Sequence, residues 1–376
     1  MEKRIFSNTD KRVSLLGFGL MRLPVRDPSR QDVVDYEQAE QMLDLAVKAG
    51  VNYFDTAYIY HEGASELFAG RALSRYPRES YNLADKMPSW LLESEEDLER
   101  IFSEQLVRCR VDYFDFYLVH RISSATWPAV LKTRAYEFLR RKKDEGRIRH
   151  LGFSFHDTPP LLKEVLDKYT WDFAQIQFNY LDWQDLQAKE QYEMLAERDL
   201  PVIIMEPVRG GALASLSNEA EAALKAAEPD MSIASWAIRF AASFPKVLTV
   251  LSGMSNLEQM RDNLATMQNF KPLNQREMDL VFAAAASFRA ASTIPCTGCR
   301  YCMDCPAGVD IPKVFTVYNQ HLLKKVRRLF DIYYTYLKDS EKADKCVACG
   351  ACLARCPQGI DIPGFMKEIA EFAAQK

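Results

Sequence analysis

No apolar run in the sequence approaches the roughly 20 residues needed to cross a bilayer. The opening stretch, MEKRIFSNTDKRV, also lacks the apolar core of a secretory signal. Membrane insertion and export are therefore not expected, and a cytoplasmic protein is. Positive charge is not in excess: the net charge of -4 supplies no global field for nucleic acid or an anionic membrane. Two basic stretches, RRKKDEGRIR (140–149) and KKVRR (324–328), read as solvated helix faces, with docking of an acidic protein as the lesser reading. Cysteine is nearly missing from the first 295 residues, where only Cys109 occurs, and it reads as a small core residue. The other eight of the nine cysteines fall in two clusters near the C-terminus. Cytosolic thiols are kept reduced, so such a set points to metal rather than to disulfides.

What is present is enough for a full core: 376 residues, of which 48% are hydrophobic. Short β-branched or aromatic runs alternate with stretches of helical period from residue 13 to about 290. The candidate strands are SLLGFG (14–19), NYFDTA (52–57), YNLADK (81–86), FDFYLVH (114–120), IRHLGFS (148–154), DFAQIQFN (172–179), PVIIMEPV (201–208) and VLTVLSG (247–253). Among the helical stretches between them are 39–50, 94–110 and 128–146, several ending in the glycine that suits a C-cap. Eight strand–helix alternations over this length predict an α/β fold, a (β/α)8 TIM barrel. The alternative is a doubly wound sheet. Its fingerprint needs three glycines after the first strand, and GFGLMR (17–22) has two.

Beyond about residue 290 the composition changes to cysteines, Pro-Ala-Gly and Pro-Gln-Gly turns, and a long helical spacer over 312–339. The expected domains are a barrel over 1–290 and a ferredoxin-type domain, α+β or helical, over 291–376. CPAGVDIP (305–312) and CPQGIDIP (356–363) are near-copies, the mark of a pseudo-twofold module. Cys346, Cys349, Cys352 and Cys356 follow C-x2-C-x2-C-x3-C-P, the bacterial ferredoxin run for a 4Fe–4S cluster. Cys296, Cys299, Cys302 and Cys305 repeat it with one residue fewer before the last cysteine. In two-cluster ferredoxins the fourth cysteine of each run serves the other cluster. By that rule Cys296, Cys299, Cys302 and Cys356 hold one cluster, and Cys346, Cys349, Cys352 and Cys305 the other. A pair of structural zinc sites is the alternative.

In a barrel of this type, reacting residues sit at the C-terminal ends of strands. Asp55 ends the second candidate strand, with Tyr60 five residues on, Lys86 ends the third and His120 the fourth. Singly these read as a helix cap, a surface charge and a core histidine. Together they form an acid. A phenol titrates near 10, and a neighbouring cation such as Lys86 favours its phenolate. Asp55 would hold the lysine charged and oriented, while His120 would hydrogen-bond a carbonyl oxygen beside the phenol.

NYFDTAYIYHEGASE (52–66), LADKMP (83–88) and FDFYLVHR (114–121) resemble the tetrad segments of the aldo-keto reductases, and the likeness extends over roughly residues 1–290. With its tail, the chain further resembles the subgroup that carries a ferredoxin-like 4Fe–4S domain. The resemblance implies an NAD(P)H cofactor, hydride transfer to a carbonyl, and Tyr60 as proton donor. It also implies that Ser154 and Gln175 hold the nicotinamide carboxamide. Glu206, Pro207, Val208, Gly210 and Gly211 would lie along the pyrophosphate. Gly253, Gln259, Asp262 and Asn263 would lie toward the adenosine, where Ser255 to Glu258 has the form of a capping box. The sequence departs from the family at Met205, where an aromatic often stacks on the nicotinamide, and at Phe155, where Asn is common. Gly253 and Gln259 replace cations of NADPH-specific members, which favours NADH, although Arg209 and Arg261 offer substitutes.

The expected function is an NAD(P)H-dependent oxidoreductase that reduces an aldehyde, ketone or quinone, coupled to or docked through a domain with two 4Fe–4S clusters. A small-molecule carbonyl and a redox protein are the expected partners. An electron-transfer protein whose barrel merely binds a nucleotide or a partner is the alternative, and clusters acting as scaffolding are a third reading. No flavin signature is visible to split an electron pair. Trp90, Trp127 and Trp183 suggest an aromatic-lined cleft and are equally consistent with core packing.

Overall fold

The computed structural model describes residues 1–6, 9–27, 30–303 and 305–375. Its strands are β1 (Lys3–Ile5), β2 (Arg12–Ser14), β3 (Leu16–Gly19), β4 (Tyr53–Asp55), β5 (Asn82–Pro88), β6 (Phe114–Ile122), β7 (Ile148–Phe155), β8 (Phe173–Gln177), β9 (Val202–Met205) and β10 (Val247–Ser252). β3 to β10 correspond to the eight runs expected from the sequence. They close into a parallel barrel, with β10 pairing both β3 and β9. β1 and β2 form a separate antiparallel hairpin that the sequence pattern had not suggested. Phe6, between them, packs edge-on against Phe116 near the start of β6, and so helps to fill the barrel end away from the expected site.

Strand geometry places the site. Side chains alternate across a strand with period two, and Tyr53, Ala84, Phe116, Leu118, Phe173 and Ile203 join in a buried interior cluster. Two residues further along the same strands come Asp55, Lys86, His120 and Gln175, so the periodicity that packs the interior aims these side chains into its upper layer. The intervening positions face outward: Asp85 meets Cys109 of the surrounding helix Glu95–Cys109, with sulfur and carboxylate 3.6 Å apart. The thiol of Cys109 is 2% exposed, as expected of a core residue.

The described residues separate into two compact units. The first comprises Met1–Pro207 and Ser235–Asn274, the second Val208–Ala234 and Gln275–Lys376. The compact units therefore cut the chain elsewhere than at 290/291. Helix Asn218–Ala227, which follows β9, belongs to the second unit. There Glu221 pairs with Lys324 at 2.8 Å, and Ser217 and Ser287 share a hydroxyl hydrogen bond of 2.9 Å.

Among its described residues the second unit contains helices and turns and no strand, the helical rather than the α+β form. The expected spacer helix is two helices, Ile311–Lys324 and Arg327–Thr335, broken where Lys325 adopts φ 54°. The break turns Phe330 back to stack edge-on with Tyr318 and Phe372. A second expected helix, 128–146, is likewise split, at Arg134 with φ 55°. The internal repeat is visible in the caps: Asp310 accepts the N–H of Lys313, and Asp361 accepts that of Gly364, at the starts of two helices that begin Ile-Pro. Among the described residues no helix is long and apolar enough to cross a membrane.

Candidate active site and cysteine cradles

Lys86 is fully buried, and its ammonium group donates to Asp55 Oδ1 at 2.6 Å, to the Thr56 carbonyl at 2.7 Å and to Tyr60 Oη at 3.4 Å. Three N–H groups thus meet three acceptors. Asp55 and His120 are each 3% exposed and Tyr60 is 9% exposed, which makes Tyr60 the group of the four most open to a ligand. The His120 ring lies edge-on to the Tyr60 ring, with centroids 6.0 Å apart. Tyr60 stands on a tight turn, and the next residue, His61, is pinned at φ 52°. Its Nε2 accepts the Leu23 N–H at 3.0 Å and its Nδ1 bonds the Gln31 carbonyl at 2.7 Å, which fixes the tautomer and the turn.

The electrostatics differ from the expectation that Lys86 makes the phenol acidic. Burial pushes Tyr60 well above the usual phenol range, with Asp55 and Glu206 adding to the shift and Arg22 opposing it. Burial also raises the Asp55 carboxyl, against the pull of Lys86. His120 is driven well below the ordinary imidazole range by burial and by Lys86, so it is neutral. The site therefore holds a protonated phenol, a neutral imidazole and one neutralised ion pair. Behind it, Gln105 donates to the Lys86 carbonyl at 3.0 Å and to Glu66 at 3.1 Å, and Arg108 pairs with Glu66 at 2.9 Å, which braces the lysine-bearing strand from outside.

The residues expected to hold a nucleotide divide into several groups. Ser154 and Gln175 are buried at the ends of adjacent strands and are opposite each other in register. Ser154 Oγ accepts the Arg121 N–H at 2.7 Å. Gln175 Oε1 is buried without a hydrogen-bond partner, an acceptor suited to an amide N–H. Glu206 sits at φ 54° just beyond β9 and pairs with Arg22 at 3.3 Å, with Pro207 buried behind it. Val208, Gly210 and Gly211 fall in the second unit. Gly253 packs beside the Arg22 side chain, and Asn263 donates to Ser252 Oγ at 2.7 Å; Asp262 lies beside it on the same helix. The helix cap lies one residue beyond the expected Ser255. Asn256 is the cap, accepting the Gln259 N–H at 2.9 Å, while Gln259 Oε1 accepts the Ser255 N–H at 2.8 Å. Asparagine caps as well as serine does, and here it occupies the last non-helical position.

Of the three tryptophans, Trp90 alone meets the tetrad, its ring 5.0 Å from that of His120. Trp127 donates to Glu164 at 2.6 Å, and Trp183 stacks among Phe178, Phe240 and Phe244; both are packing residues. Sequence reasoning missed His156. Burial and the charges of Arg121 and Lys86 press it down to about 3. Its signal was its place two residues after Ser154, just past the end of β7. It also missed Arg22, whose charge acts on Tyr60.

In the second unit the cysteines gather in two sets. One space is lined by Cys296, Cys299, Cys302 and Cys356, together with Thr297, Arg300 and Phe315. Another is lined by Cys305, Cys346, Cys349 and Cys352, together with Val347, Ile362 and Met366. The grouping recurs in the thiol electrostatics: burial raises Cys302, with Cys299, Cys296 and Cys356 beside it, and Cys352, with Cys346, Cys305 and Cys349 beside it. Among the described residues no three His, Cys, Asp or Glu side chains converge on a single-ion site. Four cysteines line each space, a donor set that suits a sulfur-bridged cluster.

Residues 15–285 match the aldo/keto reductase family, and residues 295–360 match the 4Fe-4S dicluster domain. The chain belongs to the aldo/keto reductase family. An uncharacterised oxidoreductase of Bacillus subtilis is 26% identical over 310 residues, covering 74% of this chain and 94% of that protein. L-galactose dehydrogenase of Arabidopsis thaliana is 25% identical over 301 residues, covering 74% and 92%. Among solved structures, a holo aldo-keto reductase of Bacillus halodurans superposes with a TM-score of 0.63 at 25% identity, covering 76% of this chain and 96% of that one. This aldo/keto reductase is thus an oxidoreductase that carries a C-terminal 4Fe–4S domain.

Proposed function

We propose that the protein is an NAD(P)H-dependent reductase of a small carbonyl compound, with Tyr60 as general acid and a tail that carries two 4Fe–4S clusters. The observation that carries this reading is the burial of Asp55, Tyr60, Lys86 and His120 in one group at the strand ends. Ser154 and the unpartnered oxygen of Gln175 would hold the nicotinamide carboxamide. When bound, the nucleotide supplies the hydride.

The chain's own part is the proton. The Tyr60 phenol, held protonated by its surroundings, donates its O–H toward the carbonyl oxygen, and neutral His120 offers that oxygen a second hydrogen bond. As the oxygen gains negative charge the proton passes to it, and the phenolate left behind lies 3.4 Å from the Lys86 ammonium. The lysine thus acts on the product side of proton transfer. It stabilises charge that appears only as the reaction proceeds, the differential binding that lowers a barrier. Asp55 keeps the ammonium in place and Trp90 walls the site beside His120.

The two crossed cysteine sets support two clusters, held by Cys296, Cys299, Cys302 and Cys356, and by Cys305, Cys346, Cys349 and Cys352. The second set opens outward at exposed Cys349, with exposed Val347 and Leu353 next to it. That opening supports electron exchange with a redox protein. In a panel of aldehydes, ketones and quinones, Tyr60→Phe is expected to lower carbonyl-dependent NAD(P)H oxidation by roughly 10²- to 10⁴-fold, with nucleotide binding retained. Full activity in that variant would overturn the assignment, and turnover of no carbonyl by the wild type would favour an electron-transfer protein.

A further inference from the structure

The ladder between β4 and β5 is interrupted at the lysine. The Thr56 N–H donates to the Ala84 carbonyl at 3.0 Å, and the next step of a parallel ladder would carry the Lys86 N–H to the Thr56 carbonyl. That carbonyl instead accepts the Lys86 ammonium at 2.7 Å. The Lys86 N–H turns to Asp85 Oδ1 at 2.8 Å. A side chain of the same strand thus takes the place of the ladder acceptor, and a backbone oxygen is released to the ammonium. The Lys86 carbonyl is held in turn by Gln105, whose own oxygen accepts from Tyr117 on β6. Asp85 is 0% exposed, and it is met by the Lys86 N–H and the Cys109 thiol, with no ion pair among the described residues. Glu66, on helix Ala64–Leu73, is also 0% exposed and already pairs with Arg108 and accepts from Gln105. The two carboxyls hydrogen-bond to each other, which two carboxylates, being acceptors only, cannot do. A proton therefore lies between them.

We propose that Asp85 and Glu66 form an acid pair that holds one proton, and that Asp85 is a positioning residue for Lys86, giving its N–H an acceptor and freeing the Thr56 carbonyl for its ammonium. The consequence for proton transfer rests on the reductase reading above; the shared proton does not. The titratable groups that face Asp85 are Glu66, Arg108 and Cys109 on the two outer helices, Tyr117 on β6, and Lys86 itself. Burial raises Cys109 and Tyr117 well above their ordinary values, so both stay neutral. Burial also raises both carboxyls, Asp85 the further, and each is affected by the other. The folded protein thus keeps a proton that the unfolded chain releases above the ordinary carboxylate range, near 4. Stability falls as the pH rises for as long as the pair holds that proton.

The test compares the full-length wild type with Asp85→Asn, whose amide offers Lys86 the same oxygen and Glu66 an N–H but has no proton to release. In denaturant titrations the folding constant of the wild type should fall relative to that of the variant by up to about tenfold per pH unit between about pH 5 and pH 7. The infrared band of a protonated carboxyl should be present in the wild type and absent from the variant. Positioning is read separately. Asp85→Ala should lower kcat for a carbonyl that the wild type reduces by roughly 10- to 100-fold, the strength of a hydrogen bond to a charged group, with KM little changed and with Asp85→Asn restoring most of the loss. Its destabilisation should also shrink by about tenfold in the folding constant when Lys86→Met is present, because no ammonium is then left to compete for the Thr56 carbonyl. Parallel pH curves with no difference band would overturn the acid pair, and additive losses in the double mutant would overturn the positioning role; either result leaves the reductase reading intact. A wild type that reduces no carbonyl would overturn that reading alone, since the pH comparison and the double mutant need no substrate. Should Asp85→Ala not fold, the comparison with Asp85→Asn decides.

Discussion

Lys86 illustrates how a single residue can be both chemistry and structure. A buried ammonium is expensive unless every donor is met, and here Asp55, Thr56 and Tyr60 meet all three. The two halves of the ion pair are not equivalent. Asp55→Asn leaves a lysine with no compensating charge at 0% exposure and is expected to cost about 3 kcal/mol. Lys86→Met leaves a carboxyl that burial already pushes up, so it takes a proton and loses less, and the loss shrinks further as the pH is lowered. Denaturant midpoints at two pH values would check this ordering. Equal losses in the two variants would overturn the ordering and show that the unpaired carboxyl is as costly to bury as the unpaired lysine. Both variants should lose carbonyl reduction, since Lys86→Met removes the cation that receives the phenolate and Asp55→Asn removes the carboxylate that holds that cation in place.

At the scale of elements, the two cysteine turns repeat each other in backbone as well as in spacing. In the first, Gly298 and Arg300 adopt φ 63° and 65°; in the second, Ala348 and Gly350 adopt φ 52° and 76°. Both turns need left-handed residues two and four positions after their first cysteine, and each supplies one glycine, at opposite places. A side chain in that conformation costs about 1 kcal/mol. Ala348→Gly is therefore expected to stabilise the second turn by about that amount, whereas Gly298→Val or Gly350→Val should lower the iron retained after gel filtration. Left-handed residues also mark what the sequence hid. The breaks at Arg134 and Lys325 fall on residues that carry no turn signal, so two split helices looked continuous. The eight barrel strands were legible because buried parallel strands are near-continuous apolar runs. The tetrad was legible because it ends those runs with polar residues in the same inward phase. The direction of the Tyr60 shift was not, since it is set first by the burial of the phenol, which composition does not show. Nor was the displaced cap at Asn256, where two good capping residues stand side by side.

On the scale of the whole molecule, the chain does not divide where its composition changes. Residues 208–234 look like ordinary barrel sequence, yet they are part of the cysteine-bearing unit, tied there by Gly210 on Thr297, Glu221 on Lys324 and Ser217 on Ser287. Nothing in their composition indicates which surface they pack against. The consequence is specific to this arrangement. Where a metal centre organises its surrounding turns, its binding energy is folding energy for them, and here that energy extends to a segment that lies about 60 residues or more away in sequence. Stripping iron from the intact protein with a chelator should raise amide hydrogen exchange at 296–302 and 346–352, and in the same experiment at 208–214. The inner strands β4 to β8, held by a closed parallel ladder and by the interior cluster around Phe116, should keep their protection. If the 208–214 amides stayed as slow as in the iron-loaded protein while the cysteine turns opened, the loop would owe its order to the barrel instead, and the tail would be an independent appendage.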